Sequence, residues 1–311
     1  MEKNQIKNAL LIDGSAIVHR AYHALPSFTS SDGTPTNALY GFITMFLGMI
    51  DMFRPSYLAV CLDTPKPTFR KKILSTYQAQ RPKAPDNLSR QFPLVIEFLK
   101  VSHIAGIAKE GFEADDVMAT LADLIQRELS DAHIYIVTGD KDILQLVNDR
   151  VTVVMPRSGI RNVDLMDNTA VYKKLGIQPS QVVDYKTLAG DPSDNYSGVT
   201  GIGPKKASTL LSRYGTVENI YKHLDEIEVK TTLALKTYEK NALIAKKLAQ
   251  LRKNVAIDTS IQDLVYTGLH TDQILPFLHK YTLKSIEKRI MAEKSEVNAG
   301  GKKQKNQLSF F

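Results

Sequence analysis

Residues 8–13 read NALLID, a short apolar run closed by a carboxylate that opens onto Gly14. Such a run, with a β-branched residue and a polar break behind it, reads as a buried strand. Working outward, residues 57–63 (YLAVCLD) and 133–138 (HIYIVT) have the same form, and residues 151–155 (VTVVM) supply a fourth. Between these runs, residues 37–53 and 114–128 carry apolar side chains at helical spacing. Strand alternating with helix predicts an α/β fold with a mostly parallel central sheet and helices on both faces. In such a sheet, ligands sit beyond the carboxyl ends of the strands. Asp13 and Asp63 end two of the expected strands, and Asp140 lies just past a third through Thr138-Gly139. Three acids at three strand ends converge on one place.

The chain has 311 residues, 43% of them hydrophobic, enough for one sizeable core or a core plus a smaller domain. Its one cysteine, Cys61, excludes an internal disulfide framework and suits a reducing compartment. The opening MEKNQIKNALLIDG has too short an apolar run for a signal peptide, and no segment approaches a membrane span. A soluble cytoplasmic protein is expected. Lys and Arg number 40 against 33 Asp and Glu, a formal charge of +7. With the acidic cluster described next set apart, the rest is more basic still, which suits a polyanion held by its phosphates. From about residue 178 the pattern changes to helices and turns, and the stretch after Met291 reads as a flexible polar tail.

Glu113, Asp115 and Asp116 lie in GFEADDV at an apparent helix start, where acids commonly oppose the helix dipole. Asp140 and Asp142 in TGDKD have the form of a strand-to-helix turn with an Asp cap, and Asp191 and Asp194 in GDPSDN that of ordinary turn chemistry. Together these plain readings weaken. Carboxylates gathered closely repel, and several must stay protonated unless a cation compensates them. Oxygen ligands, with seven scattered His and no Cys cluster, favour Mg²⁺ or Mn²⁺ over zinc. Two such ions about 4 Å apart would activate water and stabilise the leaving oxygen of a phosphodiester.

LLIDGSAIVHRAYHAL, CLDTP, GFEADDV, TGDKDILQLV and GDPSDNYSGVTGIGPKKA stand in the order and spacing of the bacterial and phage 5′ nucleases, relatives of flap endonucleases. The chain resembles a stand-alone form of the 5′-nuclease domain of DNA polymerase I over roughly residues 6–290. That resemblance implies a PIN or 5′-nuclease-like fold. It implies one metal held by Asp13, Asp63, Glu113 and Asp115, and a second associated with Asp140, Asp142 and Asp194, with Asp116 and Asp191 in the outer shell. All nine positions are acidic here. A different position departs from the family pattern: the family usually has Lys after the Tyr of the segment reading YQAQR, and this chain has Gln78 after Tyr77. Gln cannot supply positive charge to a scissile phosphate, and Arg81 and Lys83 are the nearby candidates to compensate. Arg20 matches another basic residue of the family site.

Residues 66–90 hold Lys66, Arg70, Lys71, Lys72, Arg81, Lys83 and Arg90, interleaved with Phe69 and Tyr77. Charge runs are usually solvated faces. Here, directly after Asp63, the run reads as a basic, aromatic-studded arch that threads or clamps a single strand and stacks its bases, and the resemblance implies a helical arch over about residues 65–100. GVTGIGPKKA resembles a helix-hairpin-helix, with Gly198, Gly201 and Gly203 letting backbone N–H groups approach phosphate and Lys205 and Lys206 opening the next helix. The resemblance implies K⁺ there. The final Gln307, Leu308, Ser309, Phe310 and Phe311 are similar to the peptide by which bacterial replication proteins dock on the sliding clamp.

Three regions are therefore expected: a nuclease domain over 1–175, a helical DNA-binding region over 176–290, and a tail over 291–311. The expected function is Mg²⁺- or Mn²⁺-dependent 5′-3′ exonuclease and 5′-flap endonuclease cutting of branched, nicked or RNA-primed DNA, by a nucleoid-associated cytoplasmic monomer. Two alternatives stand beside it. One is a DNA-structure-binding or clamp-adaptor protein with feeble chemistry, to which Gln78 lends support; the other is a metal-dependent ribonuclease of similar architecture.

Overall fold

The computed structural model describes residues 7–158 and 162–298. Strands β1 (Lys7–Asp13), β2 (Tyr57–Cys61), β3 (Ala105–Ile107), β4 (Ala132–Val137), β5 (Val151–Ser158) and β6 (Asn162–Met166) form one sheet, ordered β3-β2-β1-β4-β5-β6. The first five are parallel and β6 returns antiparallel to β5. The four apolar runs read from the sequence became strands; β3 and β6 add one at each edge. In chain order the helices are α1 (Gly14–Ala24), α2 (Asn37–Phe53), α3 (Phe69–Ile73), α4 (Asp86–Ser89), α5 (Phe92–Val101), α6 (Ala114–Glu128) and α7 (Asn168–Leu175). There follow α8 (Val182–Ala189), α9 (Pro204–Tyr214), α10 (Val217–Lys222), α11 (Val229–Thr237), α12 (Glu239–Ala249), α13 (Thr271–Lys280) and α14 (Lys284–Asn298).

Successive residues of β1 serve opposite faces, as the twofold period of a strand requires. Leu10 and Ile12 join a core with α1, α2, α5, α13 and α14, whereas Ala9 and Leu11 join a core with α6 and residues from α7 to α12. Because both faces are covered, the strand is apolar at consecutive positions instead of alternating. The helical C-terminal part is not a separate lobe. Ala207, Leu211, Ile220 and Leu235 share one continuous core with Val117, Leu121 and Ile134. Residues 271–298 then cross to the other face, where Ile274, Phe277 and Ile286 pack.

Strand order places β2 and β3 on one side of β1 and β4 to β6 on the other, with Ile12 opposite Val137 and Asp13 opposite Cys61. The chain direction across the sheet thus reverses between β1 and β4, and a crevice opens there at the carboxyl ends.

Two expectations need correction. Where a helical arch was expected over about residues 65–100, the helices are short or serve the core: α3 is five residues, α4 is four, and α5 buries Val95, Phe98 and Leu99. Pro65, Pro67, Pro82, Pro85 and Pro93 punctuate the stretch and prevent longer helices. The tail was expected to begin after Met291, but α14 continues to Asn298 through helix-favouring Ala, Glu and Lys. The clamp-like Gln307, Leu308, Phe310 and Phe311 lie outside the described residues. Among the described residues, no helix is long and apolar enough to cross a membrane.

Candidate active site

The acidic positions are assembled by local motifs at the crevice. Asp13 caps α1: its Oδ1 accepts from the Ala16 N–H at 2.9 Å, and its Oδ2 accepts from the Thr138 hydroxyl at 2.8 Å. That hydroxyl accepts in turn from the Asp140 N–H at 3.0 Å, and Asp140 Oδ1 accepts from the Asp142 N–H at 2.8 Å. Thr138 therefore pins the end of β1 to the turn after β4. On the other side of β1, Ser15 Oγ accepts from the Asp63 N–H, and Asp63 Oδ1 accepts from the Ala114 N–H, both at 2.9 Å. Asp63 thus meets the positive end of α6, where an anion is favoured. Glu113 and Asp116 close a capping box at the same helix start, which leaves Asp115 in the first turn.

A second group forms where α8 ends. Asp191 Oδ1 accepts from the Ser193 N–H at 2.8 Å, folding GDPSDN into a tight turn. Oxygens of Asp142, Asp191 and Asp194 then lie within 4.8 Å of one another. Asp191, expected in the outer shell, belongs to this trio. Lys186, in the last turn of α8, pairs with Asp142 and stands 2.5 Å from Asp191 Oδ2. Sequence reading missed Lys186. Its signal was present: a lone Lys in the apolar helix VVDYKTLA, five residues before Asp191 and buried.

Charge crowding is evident in the site. Burial, with Asp63 nearby, pushes Asp13 up to about 7, against hydrogen bonds from Ala16 and Thr138 that lower it. Burial pushes Glu113 up to about 7 despite Arg70. Asp115 is driven well above the carboxylate range by burial and by Asp140 and Asp13, and Asp140 is raised by burial against Lys186 and Arg81. Asp191 is also penalised by burial, but Lys186 and Ser193 bring it below its ordinary value. Among the described residues, the Asp115 carboxyl has no hydrogen-bond or ion-pair partner, although it is buried. A buried, unpartnered carboxyl beside Asp13, Asp63 and Glu113 fits a divalent cation with hard oxygen ligands. Asp13, Asp63, Glu113 and Asp115 face one another electrostatically. Among the described residues, however, only the Asp142, Asp191 and Asp194 oxygens gather tightly enough to share one ion in this conformation. The Glu113 carboxylate is held by Thr68 at 3.1 Å, Tyr77 at 3.2 Å and Arg70 at 3.5 Å.

The residues expected to grip DNA divide. Arg70 is buried, forks onto Asp116 at 2.7 and 3.0 Å, and donates through Nε to the Leu248 carbonyl. It cannot reach a strand from there. Both Asp116 oxygens are consequently taken, by the arginine and by the Glu113 and Arg252 N–H groups. Tyr77 is also buried, its hydroxyl 3.0 Å from Asp194 Oδ2, so it offers no face to a base. Gly198 is buried against Gly190, not turned to solvent, because the two loops touch backbone to backbone. Lys72, Lys83, Gly201, Gly203 and Lys205 are exposed, whereas Lys71 and Lys206 are half-buried, Lys206 lying 3.2 Å from Thr231 Oγ1. Arg20 donates to the Arg157 carbonyl at the rim. Arg81, half exposed, reaches Asp194 Oδ1 at 2.6 Å. Gln78 adopts φ 54° and donates through Nε2 to the same oxygen at 3.0 Å.

Residues 8–176 match the family model of the 5′-3′ exonuclease N-terminal resolvase-like domain, and residues 177–272 that of the 5′-3′ exonuclease C-terminal SAM fold. The 5′-3′ exonuclease of Aquifex aeolicus is 38% identical over 285 residues, covering 92% of this chain and 96% of that protein. A 5′-3′ exonuclease of Bacillus subtilis is 33% identical, covering 90% of this chain and 95% of that protein. DNA polymerase I of Bacillus caldotenax is 36% identical over 93% of this chain, but the chain spans only 33% of that polymerase. Among solved structures, the bacteriophage T5 D15 flap endonuclease, in a complex with DNA and metal ions, has the same fold at TM-score 0.65 and 21% identity. That likeness covers 78% of this chain and 89% of the phage protein.

Proposed function

This chain belongs to the 5′-3′ exonuclease family, and from that premise we propose that it hydrolyses phosphodiesters of DNA at 5′ ends and 5′ flaps with divalent metal ions, Mg²⁺ or Mn²⁺. The observation that carries the reading is the convergence of Asp13, Asp63, Asp115, Asp140, Asp142, Asp191 and Asp194 at the switch point of the sheet, with oxygens of the last three within 4.8 Å of one another. Divalent ions bound there would supply Lewis acidity toward water and toward the leaving oxygen.

The chain's own residues do the rest. Asp142, Asp191 and Asp194 would hold one ion, and Asp13, Asp63, Glu113 and Asp115 the other. Thr138 and Ser15 fix the strand ends that carry these acids. Arg81, half exposed beside Asp194, is the guanidinium placed to meet a phosphate oxygen, so positive charge at the site does not depend on residue 78. Exposed Lys72, Lys83 and Lys205 would hold backbone phosphates flanking the cut, and the N-terminus of α9, with Gly201 and Gly203 open before it, suits a duplex phosphate. These contacts read shape and charge, not sequence. Potassium at the hairpin, and sliding-clamp docking by residues 307–311 in the cytoplasm, complete the proposal.

The test is cleavage of a labelled 5′-flap duplex at enzyme excess with Mg²⁺ or Mn²⁺. Asp140→Asn and Asp13→Asn should each lose cleavage by roughly a thousandfold while flap binding persists. An intact flap with wild-type protein would refute the nuclease reading and leave the DNA-binding alternative. Faster cutting of single-stranded RNA than of the flap would instead favour the ribonuclease. Deleting the last five residues should abolish clamp binding; binding that survives the deletion removes that assignment.

A further inference from the structure

The trio of carboxylates is already met by groups of the chain, and Asp194 by three side chains of one segment. Its Oδ1 takes Arg81 Nη2 at 2.6 Å and Gln78 Nε2 at 3.0 Å, and its Oδ2 faces the Tyr77 hydroxyl at 3.0 Å. All three donors come from residues 77–81. The same segment is fastened to the same loop by its backbone. The Gln78 N–H donates to the Asp194 carbonyl at 2.9 Å, Gln80 Nε2 to the Pro192 carbonyl at 2.8 Å, and Asn195 Nδ2 to the Thr76 carbonyl at 2.8 Å. A strap thus lies over the loop that carries two of the three gathered acids.

We propose that residues 74–81 are a displaceable strap: Asp194 is shared between the strap and a divalent ion, and a DNA phosphate that draws Arg81 away hands Asp194 to that ion. This rests on the nuclease reading of the same site. A carboxylate oxygen directed at a guanidinium 2.6 Å away is not available to a cation, so strap and ion compete. A phosphate competes for the guanidinium in turn, being its natural bidentate partner. Competition on both sides makes DNA and the second ion bind cooperatively, each strengthening the other by the same factor. Gln78 is the positioning residue. Its amide holds Asp194 without adding charge, so Arg81 is the one formal cation that the strap sets on the trio, and a single phosphate suffices to release it. A lysine at 78 would place a second cation on Asp194 and hold it against the ion.

The test is Mn²⁺ binding to metal-free protein followed by electron paramagnetic resonance, with and without a nicked duplex that the enzyme cannot cut further. Wild type should show a tight and a weak class of site, and the duplex should tighten the weak class by about fivefold or more. Arg81→Ala and Arg81→Gln should each tighten that class by a similar factor without DNA, and the duplex should then add little. Gln78→Lys should weaken it. A residue serving only to shape the site would, when lost, weaken Mn²⁺ binding or leave it unchanged; either result with both Arg81 variants overturns the strap. Wild-type flap cleavage is measured alongside. Cleavage without the Arg81 shift sinks the strap alone, and the shift without cleavage sinks the nuclease reading alone.

Discussion

Arg70 and Asp116 form a two-pronged ion pair, 2.7 and 3.0 Å, in which neither side chain reaches solvent. Arg70 stands in α3, Asp116 in the first turn of α6, and the arginine also binds the Leu248 carbonyl of α12. Three segments distant in sequence are thereby locked behind the acidic crevice. Removing one partner strands the other charge in the interior. Arg70→Met should cost on the order of 3–5 kcal/mol, while the double change with Asp116→Leu should recover part of the loss. Arg70→Lys keeps the charge but not the fork, and should fall between. Urea unfolding reads all three; a loss below about 1 kcal/mol for Arg70→Met would show that the pair does not hold the framework.

Asp13 and Glu113 each sit near 7, above their ordinary 3.8 and 4.5, chiefly through burial. Between those limits the folded protein holds protons that the unfolded chain has already lost. Stability of the metal-free protein should accordingly fall as pH rises from about 4 to about 7, then level off. Divalent ions bind the ionised carboxylates and reverse the trend. The Tm gain on adding Mn²⁺ should be larger at about pH 8 than at about pH 5.5, with protons released on binding near neutrality. Differential scanning fluorimetry across pH, with and without Mn²⁺, measures this. A metal-free Tm that climbs steadily from acid to neutral would contradict the assignment.

Lys186 is the cation that Asp142 and Asp191 share. Lys186→Met keeps most of the volume and leaves those two carboxylates facing each other in a buried place. Metal-free protein should lose about 3 kcal/mol, and saturating Mn²⁺ should restore more stability to this variant than to wild type. Equal gains from Mn²⁺ in both would show that the lysine and the metal do not serve the same oxygens.

The central strands were legible because a parallel strand buried on both faces is apolar at consecutive positions, as Ala9, Leu10, Leu11 and Ile12 are. Asp13, Asp63, Asp140 and Asp142 were legible because they close those runs or follow them within a few residues, whereas Glu113, Asp115 and Asp116 at a helix start and Asp191 and Asp194 in a turn were legible through the motifs that carry them. Strand β3, three residues reading AGI, is too short to show a period, and β6 is held by pairing with β5 more than by its own pattern. Burial of Arg70 and Tyr77 was hidden for another reason. A charged or phenolic side chain goes inside only when a partner waits there, and theirs, Asp116 and Asp194, lie 46 and 117 residues further along. Lys186 was half legible: Asp191 stands five residues on, but its other partner, Asp142, lies 44 residues back. Local pattern locates a carboxylate at a strand end; it does not say which cation the fold will bring to it.

Gly198 joins the hairpin to the acidic loop by contact too close for any side chain. A Cβ there would stand 2.6 Å from both the Gly190 nitrogen and the Thr187 carbonyl, which are backbone atoms and cannot turn aside. The loops are also laced by Val199 N–H to the Leu188 carbonyl at 2.8 Å and by Asp191 with Tyr196 at 2.9 and 3.1 Å. Gly198→Ala must therefore push the hairpin from the end of α8, carrying Asp191 and Asp194 away from Asp142. The expected loss is roughly 1–3 kcal/mol in stability, with flap cleavage down by about a hundredfold at fixed Mn²⁺ because small displacements of ligands are costly. Gly203 provides the contrast, since a Cβ there meets nothing within 4 Å. Gly203→Ala should stay within about 0.5 kcal/mol of wild type. Urea midpoints and single-turnover cleavage of the two variants, run together, separate a requirement for contact from a general sensitivity of the turn. Equal effects at both positions would mean that the hairpin does not set the acidic loop.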